Sequence, residues 1–582
     1  MSALKKINYL ISKQQKKKSI LLTLLLLVGM MFEIIGIGIL IPVLTVILKP
    51  EKLLNKPSIK AFLESINLLQ ESDIIKFSLA GLILIYMLKS IFLLSLNYFQ
   101  NKFNSNLTAD ISNRLFKKYL DQPYSFHLSK NSSELIKNLQ IEVNYFNVFL
   151  LAFIILITEV TLAFSVLLSL IYIEPVGTLV VMFFLLFFSS IFFQFTKRLS
   201  IRWGKIREQN DKSISKLLYE TFGGIKEILL LNRESAYFNK NRSFNAVRAR
   251  IHSKSLTLGQ IPRYYLEFLS VVALVVFVTT LYSQGNNVDD LLVTLGVFVA
   301  ATFRVLPSIN RILSSLQQLK YYRSSIDLLF NEFSSLEDKQ PFKENKVTPK
   351  LLSKQITFEN LSFSYAKSTM SVLEDINLKI PKRSTTGIIG TSGSGKSTFI
   401  NILVGLLTPN SGKIYVDETE LDYDNISAWR KNIGYVSQHV YLSDNSIMEN
   451  IAFGIEPDNI SIERINHVIQ EAQLSELINS LPQGYRTRVG ERGVQLSGGQ
   501  QQRIGIARAL YNNPEVLILD EATSALDTKT EENIMRAVNS LKSKKTIIIV
   551  THRLTTLKGC SSIYEIKKGK IKKSKMNLVY NE

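Results

Sequence analysis

Residues 390 to 398 read "GTSGSGKST", which fits G-x-x-x-x-G-K-[ST] and lies between a strand-like "TTGIIG" and a helix-like "TFINILVGLL". That context suits a loop that cradles phosphates. Gly390, Gly393 and Gly395 let the backbone curl so that amides point at phosphate oxygens, with Thr391, Ser392, Ser394 and Thr398 filling out the loop. Lys396 neutralises phosphate charge and Ser397 offers Mg²⁺ an oxygen. A second stretch, "EVLILDE" at 515 to 521, is an apolar strand ending in two carboxylates. Asp520 is suited to hold Mg²⁺ and Glu521 to orient or polarise a water. Together these residues point to hydrolysis of a nucleoside triphosphate.

"LSGGQQQR", 496 to 503, extends the pattern. With it the C-terminal part of the chain resembles the ATP-binding cassette proteins, and the remaining motifs fall in that family's order. The resemblance implies that Tyr365 stacks on adenine, that Gln438 of "YVSQ" serves Mg²⁺ and catalysis, that Asp527 closes "SALD", and that His552 after "TIIIV" assists Glu521. In the family two cassettes pair head to tail. ATP held by Lys396 of one copy then meets Ser497, Gly498, Gly499 and Gln500 of the other, whose helix N-terminus faces the γ-phosphate. One cassette per chain implies a homodimer with two sites, each keeping Glu521 and His552.

The rest of the chain must anchor and move this machinery. A chain of 582 residues exceeds one compact domain, and 46% hydrophobic residues beside 20% charged ones imply two kinds of domain. The net charge of +21 would suit nucleic acid, but Lys and Arg cluster between apolar runs, which excludes that reading in favour of a membrane topology. Cys560 is the only cysteine, so a disulfide framework and a cysteine-rich metal site are both excluded. Six stretches are long and apolar enough to span a bilayer: 20–48, 76–97, 146–171, 175–195, 261–283 and 288–310. The first is too long for a signal peptide and lacks a small-residue cleavage site. Basic connections at 98–144 and 196–260 belong in the cytoplasm with both termini, while 172–174, the acidic 284–290 and the loop 49–75 lie outside.

Before the first span, Leu4, Ile7, Leu10 and Ile11 recur at helical spacing among lysines, as in a helix lying in the membrane interface; a solvated basic tail is the alternative. Pro57 followed by Ile59, Phe62, Leu63 and Ile66 suggests a second amphipathic helix in the outer loop. The fold expected is an α-helical six-span transmembrane domain over 1–330, a polar linker over 331–350, and an α/β P-loop cassette over 351–582. This order resembles an ABC half-exporter. "DQPYSF" with Pro123 and Phe126, and "NRESAYF" ending at Phe238, fall where such exporters place coupling helices, and "VGERG" at 489 to 493 resembles the loop that receives them; ordinary hairpin ends are the plainer reading.

For the cargo, the membrane half offers basic residues in costly surroundings: Lys89, Arg263, Arg304 and Arg311. Arg304 and Arg311 are a heptad apart and return to nearly one helix face, with Pro307 between them. Such a face can line a cavity that recognises phosphate. Snorkelling, or internal pairing with Glu33, Glu159 or Glu267, is the competing role. "PRYYLEF", "FRVLPSINRI" and "YYRSS" make this half resemble the PglK-type flippases of lipid-linked oligosaccharides, with Lys89 in place of an arginine of that pattern. The resemblance implies a polyprenyl-pyrophosphate saccharide as cargo, membrane lipid as surroundings, and the bacterial cytoplasmic membrane as location, with the cassette in the cytoplasm. Export of a peptide, lipid or drug is the alternative within transporters; an ATP-gated channel or regulatory subunit is the alternative outside them.

Overall fold

The computed structural model describes residues 3–39, 43, 46–47, 71–173, 175–283, 288–336, 352–365, 370–522 and 528–574. Two compact units emerge, Met1–Gln122 with His127–Asp338, and Lys339–Glu582 with Pro123–Phe126. The expected outer amphipathic helix after Pro57 lies outside the described residues.

The first unit is helical. After a short α1 (Ala3–Leu10) come α2 (Lys13–Gly38), α3 (Glu71–Leu120), α4 (Val143–Ile173), α5 (Pro175–Gly223), α6 (Glu234–Ser283) and α7 (Val288–Tyr321), then α8 (Arg323–Ser335). Among the described residues, 13–36, 73–120 and 132–168 are long and apolar enough to cross a membrane. Pro175 opens α5 at a position where its missing N–H costs nothing. At 49 residues α5 is roughly 74 Å long, more than twice a bilayer's hydrocarbon thickness of about 30 Å, so much of it stands beyond the membrane. α5 packs along α6, α7 packs on α4, α5 and α6, and α2 packs on α3 and α4. Leu266, Leu269 and Leu313, backed by Phe188, Phe192 and Tyr265, tie α5, α6 and α7 together.

Two expectations need correction. The apolar stripe of α1 does not lie free for the membrane interface: Ile7 and Leu10 are buried, Tyr9 packs edge-on against Phe330, and Lys6 reaches Asp327 at 2.6 Å on α8. The protein itself supplies the apolar surface that the stripe requires. The linker also begins later than 331, because Ile326, Leu329 and Phe333 recur at helical spacing and are buried, carrying α8 to Ser335.

The second unit holds two sheets. β1 (Gln355–Phe363), β2 (Leu373–Pro381), β4 (Ser411–Val416) and β5 (Thr419–Glu420) form an antiparallel sheet in the order β2-β1-β4-β5. β3 (Thr385–Ile389), β6 (Ile433–Val436), β7 (Val516–Asp520), β8 (Thr546–Val550), β9 (Ser562–Lys567) and β10 (Lys570–Lys573) form the second, ordered β10-β9-β3-β8-β7-β6. Its strands β7 and β8 run parallel and are apolar along nearly their whole length, as burial on both faces demands. Side chains alternate between two cores: Val516, Ile518 and Ile548 join one, Leu517, Leu519, Ile547 and Ile549 the other.

Gly204 on α5 shows how closely the helical unit is packed. A Cβ there would stand 2.1 Å from the carbonyl oxygen of Tyr321. Glycine inside a helix costs up to about 1 kcal/mol relative to alanine, so contact rather than propensity explains it. Gly204→Ala is therefore expected to lower the thermal unfolding midpoint of the detergent-purified protein, read by intrinsic fluorescence; an unchanged or higher midpoint would show that α5 and α7 have room to separate.

Candidate active site

β3, β8, β7 and β6 run parallel, so their C-terminal ends lie along one edge of the sheet, where ligands bind in open α/β folds. Four of the chemical motifs leave from that edge. The phosphate loop follows β3, Gln438 follows β6, Asp520 ends β7 with Glu521 next, and His552 follows β8. The loop's curl needs Gly393 at φ 76° and Gly395 at φ 108°. A Cβ at Gly390 would stand 2.5 Å from Ser394 Oγ, and that buried hydroxyl has no hydrogen-bond partner among the described residues. Both observations fit a loop shaped around phosphate oxygens.

α9 (Lys396–Leu403) starts where the loop ends. Lys396 Nζ donates to the carbonyls of Gly390 at 2.8 Å and Thr391 at 3.1 Å, and lies 3.8 Å from Glu521 Oε1. Glu521 Oε2 accepts from Gln438 Nε2 at 3.1 Å and lies 3.5 Å from His552 Nδ1. Glu521 itself sits at φ 47°, a costly conformation for a non-glycine residue and one that concentrates at functional sites. The fold thus gathers Lys396, Gln438, Glu521 and His552 about one point, with Asp520 beside it. Ser397 is exposed on the first turn of α9, Thr398 Oγ1 is 3.2 Å from the hydroxyl of Tyr365, and the Tyr365 ring, partly exposed, packs edge-on against Phe363. Asp527 lies outside the described residues.

Three supporting residues escaped sequence reasoning. The Tyr435 hydroxyl donates to Asp520 Oδ2 at 3.1 Å; it sits three residues before Gln438, inside the quoted "YVSQ". Gln502, buried within "LSGGQQQR", donates to the carbonyl of Gln438 at 2.7 Å and so ties the signature helix to the Gln438 loop. Arg553 donates to Glu531 Oε2 at 2.7 Å and braces the turn that carries His552.

Ser497 caps α10 (Gly498–Leu510): its side chain accepts from Gln500 N at 3.4 Å while Gln500 Oε1 accepts from Ser497 N at 2.8 Å. The first amides of any helix lack partners within it, which leaves those at Gly498 and Gly499 as anion donors. α10 is rooted in the core around Ile504 and Ile506, whereas α9 is rooted in the other core around Phe399 and Ile400.

Basic residues of the membrane half do not converge in the same way. Lys89 Nζ meets Glu33 Oε2 at 2.8 Å with both groups buried, Arg311 Nη1 meets Glu159 Oε1 at 2.6 Å, and Arg263 Nε meets Glu267 Oε1 at 3.2 Å on an exposed helix face. Each takes the acidic partner that sequence offered as the competing role. Arg311 differs in staying 53% exposed while Glu159 is buried behind it. Arg304 lies on α7, but its side chain is outside the described residues.

Comparison with known proteins agrees with this layout. The profile of the ABC transporter transmembrane region matches residues 18–305 and that of the ABC transporter cassette residues 373–524. The chain belongs to the ABC transporters: it is an integral membrane protein that fuses a helical transmembrane region to a cassette, binds ATP, and couples its hydrolysis to export. An ATP-dependent lipid A-core flippase of Cupriavidus pinatubonensis is 28% identical over 461 residues, covering 79% of this chain and 77% of that protein. A putative multidrug export ATP-binding/permease protein, YgaD of Bacillus subtilis, is 38% identical over 279 residues, or 48% of this chain and 47% of that one. A solved bacterial Atm1-family ABC exporter with ATP bound shares the fold with a TM-score of 0.73 over 96% of this chain and 94% of that one, at 22% identity.

Glu521→Gln keeps the hydrogen-bonding outline and loses the charge. ATP affinity should stay within a few-fold while phosphate release falls by roughly 10²-fold or more; hydrolysis close to wild type would remove Glu521 from catalysis. Asp520 gives a second test. Burial, with a smaller push from the Glu521 charge and opposed by the Tyr435 hydroxyl, holds its carboxyl above the ordinary value. The folded protein then binds this proton more readily than the unfolded chain, so the contribution is most favourable at acid pH and is lost as pH rises through the raised value. Asp520→Asn should raise the unfolding midpoint of nucleotide-free protein at pH 7.5, with a smaller gain at pH 5, while hydrolysis collapses. Equal shifts at both pH values would contradict the charge-burial account.

Proposed function

We propose that the chain works as a homodimer in the bacterial cytoplasmic membrane and flips a lipid-linked saccharide with an anionic, polyprenyl-pyrophosphate head. The observation that carries the anionic cargo is Arg311, half-exposed with its counter-charge Glu159 buried behind it, so that donors remain for a phosphate. The likeness to a lipid A-core flippase, a protein named for an amphipathic glycolipid, supports the same reading. Arg304, one heptad away on α7, is proposed to share the contact. The pairing of Lys89 and Arg263 with acids favours a less charged lipid or drug as the second reading. Ser397 and Asp520 are proposed to hold Mg²⁺ with Gln438 close by, a hard-oxygen set that leaves room for phosphate and water ligands. The metal would screen the developing phosphate charge.

Separate rooting of α9 and α10 in two cores supports a composite site built from two copies. Subunits carrying Ser497→Arg mixed with subunits carrying Lys396→Ala should form heterodimers with one intact site, and these should trap one ATP per mixed dimer. Trapping at neither site would overturn the head-to-tail arrangement. For the cargo, Arg311→Ala in proteoliposomes should slow flipping of a polyprenyl-pyrophosphate sugar by about tenfold or more, since a charge-assisted contact contributes roughly 1.5–3 kcal/mol. Near-normal flipping by a variant that assembles correctly on gel filtration would favour the drug or neutral-lipid reading.

A further inference from the structure

Beyond the active site and the intramembrane cations, four elements of the helical unit meet around one buried guanidinium. Arg207 on α5 is 6% exposed, stacked 4.0 Å from the ring centroid of Tyr145 and 4.8 Å from that of Tyr322, with Tyr321 at 5.1 Å. Nη2 donates to Ser325 Oγ at 2.8 Å and Ser324 Oγ at 3.2 Å, whereas Nε and Nη1 have no hydrogen-bond partner among the described residues. Rings stacked on a guanidinium cover its faces and leave its in-plane N–H donors open. Arg207 lines a cavity of about 410 Å³ together with Arg248, His252, Asn210, Tyr321 and Tyr322. Asp211 sits 3.9 Å from Arg207 Nε and 3.8 Å from Arg248 Nε and accepts from the Tyr145 hydroxyl at 3.1 Å. The cavity's own lining presents two guanidiniums and, among the described residues, no carboxylate, while Asp211, Glu208 and Glu142 supply negative charge from behind it. Glu208, the next residue along, lines a different cavity.

A second cavity of about 340 Å³ shares His252, Tyr321 and Tyr322 with the first, and its other walls are uncharged: Ser200, Ser255, Gln260, Ser314, Gln317 and Gln318, interrupted by Leu256, Leu258 and Gly259. Gln317 is 5% exposed, and among the described residues neither its Nε2 nor its Oε1 has a hydrogen-bond partner. Unpaired buried amides and guanidiniums are costly unless a ligand satisfies them. The two lobes are ordered along the helices. On α5 Ser200 lies nearer the expected span than Arg207, on α6 Gln260 lies nearer than Arg248, and on α7 Ser314 and Gln317 lie nearer than Tyr321. The neutral lobe is thus on the membrane side and the cationic lobe beyond it.

We infer that this two-lobed cavity docks the glycan head of the cargo, with hydroxyls on Gln317 and its neighbours and an acidic group, carboxylate or phosphate, on a sugar remote from the lipid at Arg207 and Arg248. The inference rests on the lipid-linked saccharide reading, and it adds that the saccharide is acidic. A pyrophosphate next to the lipid would call for the opposite order of lobes.

The test uses the full-length dimer in lipid nanodiscs with its nucleotide sites saturated by ADP, titrated calorimetrically with glucuronate, glucose 6-phosphate, glucose and inorganic phosphate. Binding of either acidic sugar at least tenfold tighter than glucose or phosphate is expected, weakened at least tenfold in Arg248→Gln and in Arg207→Lys. Arg248 is half-exposed, so its variant should fold even if Arg207→Lys does not. Adding an acidic polyprenyl-linked saccharide to the nanodiscs should compete with the soluble sugar. No binding, equal affinity for phosphate and sugar phosphate, undiminished binding by Arg248→Gln, or binding without competition from the lipid would each overturn the proposal. The cargo reading is tested apart from it: flipping in proteoliposomes that persists in Arg248→Gln without sugar binding sinks only this site, whereas acidic-sugar binding by a protein that flips no lipid-linked saccharide sinks the cargo reading.

Discussion

Hydrogen bonding between β3, β8 and β7 fixes where the phosphate loop, Asp520, Glu521 and His552 stand relative to one another. Ile388 pairs with Val550, and Val550 pairs with Asp520, so the phosphate loop, the histidine loop and the acidic strand end leave the sheet level with one another. The ladder continues one step further, with the Glu521 amide donating to the Val550 carbonyl at 2.8 Å and the Thr551 amide to that of Ile388 at 3.1 Å. Only then does the chain turn, through Glu521 at φ 47°. The carboxylate is aimed by backbone bonds on its strand side and by Gln438 and His552 on the other. Such preorganisation is what electrostatic catalysis requires, because little has to reorganise when charge develops.

In the helical unit the governing constraint is compensation of charge. Lys89 with Glu33 and Lys137 with Glu142 are buried at both ends. A buried pair is a poor source of net stability compared with apolar packing, but breaking one leaves an uncompensated charge, so pairs of this kind fix which helix faces which. Lys89 joins α3 to α2, while Gly36 leaves room for its ammonium: a Cβ there would stand 3.2 Å from Nζ. Arg311 and Arg207 depart from this rule, the first by exposure and the second by sharing its carboxylate, Asp211, with Arg248 and keeping two nitrogens without a hydrogen bond among the described residues.

The cassette was largely legible in the sequence because its chemistry is local. A phosphate loop needs glycines at set spacings and a carboxylate needs to end a strand, and both constraints fall within a few consecutive residues. Tyr435 and Gln502 were not legible, since a tyrosine and a glutamine acquire their roles only when β6, β7 and the signature helix come together. The membrane half shows the same limit. Apolar length marks three of its helices as spans among the described residues, yet whether Arg311 faces cargo or Glu159 depends on α4 lying against α7, 152 residues away in sequence. The stripe of α1 was read correctly as amphipathic; its partner, α8, was invisible because any apolar surface would have satisfied the same pattern.

The prolines connect packing in the helical unit to motion. α5 runs from Pro175 to Gly223 with no internal proline, whereas α6 contains Pro262 and α7 contains Pro307. Each internal proline removes one helical hydrogen bond and loosens the turn before it. Both fall close to the inner ends of their expected spans, on the membrane side of the two-lobed cavity. α5 therefore acts as a continuous rod, while the parts of α6 and α7 that carry Arg248, Gln317 and Tyr321 can tilt relative to their own spans at a softened turn. Gly204 brings α5 against the Tyr321 carbonyl, so the two helices are in close contact at that level. A tilt at Pro262 or Pro307 would therefore be felt at the cavity walls, between Arg207 on α5 and Arg248, Gln317 and Tyr321 on α6 and α7.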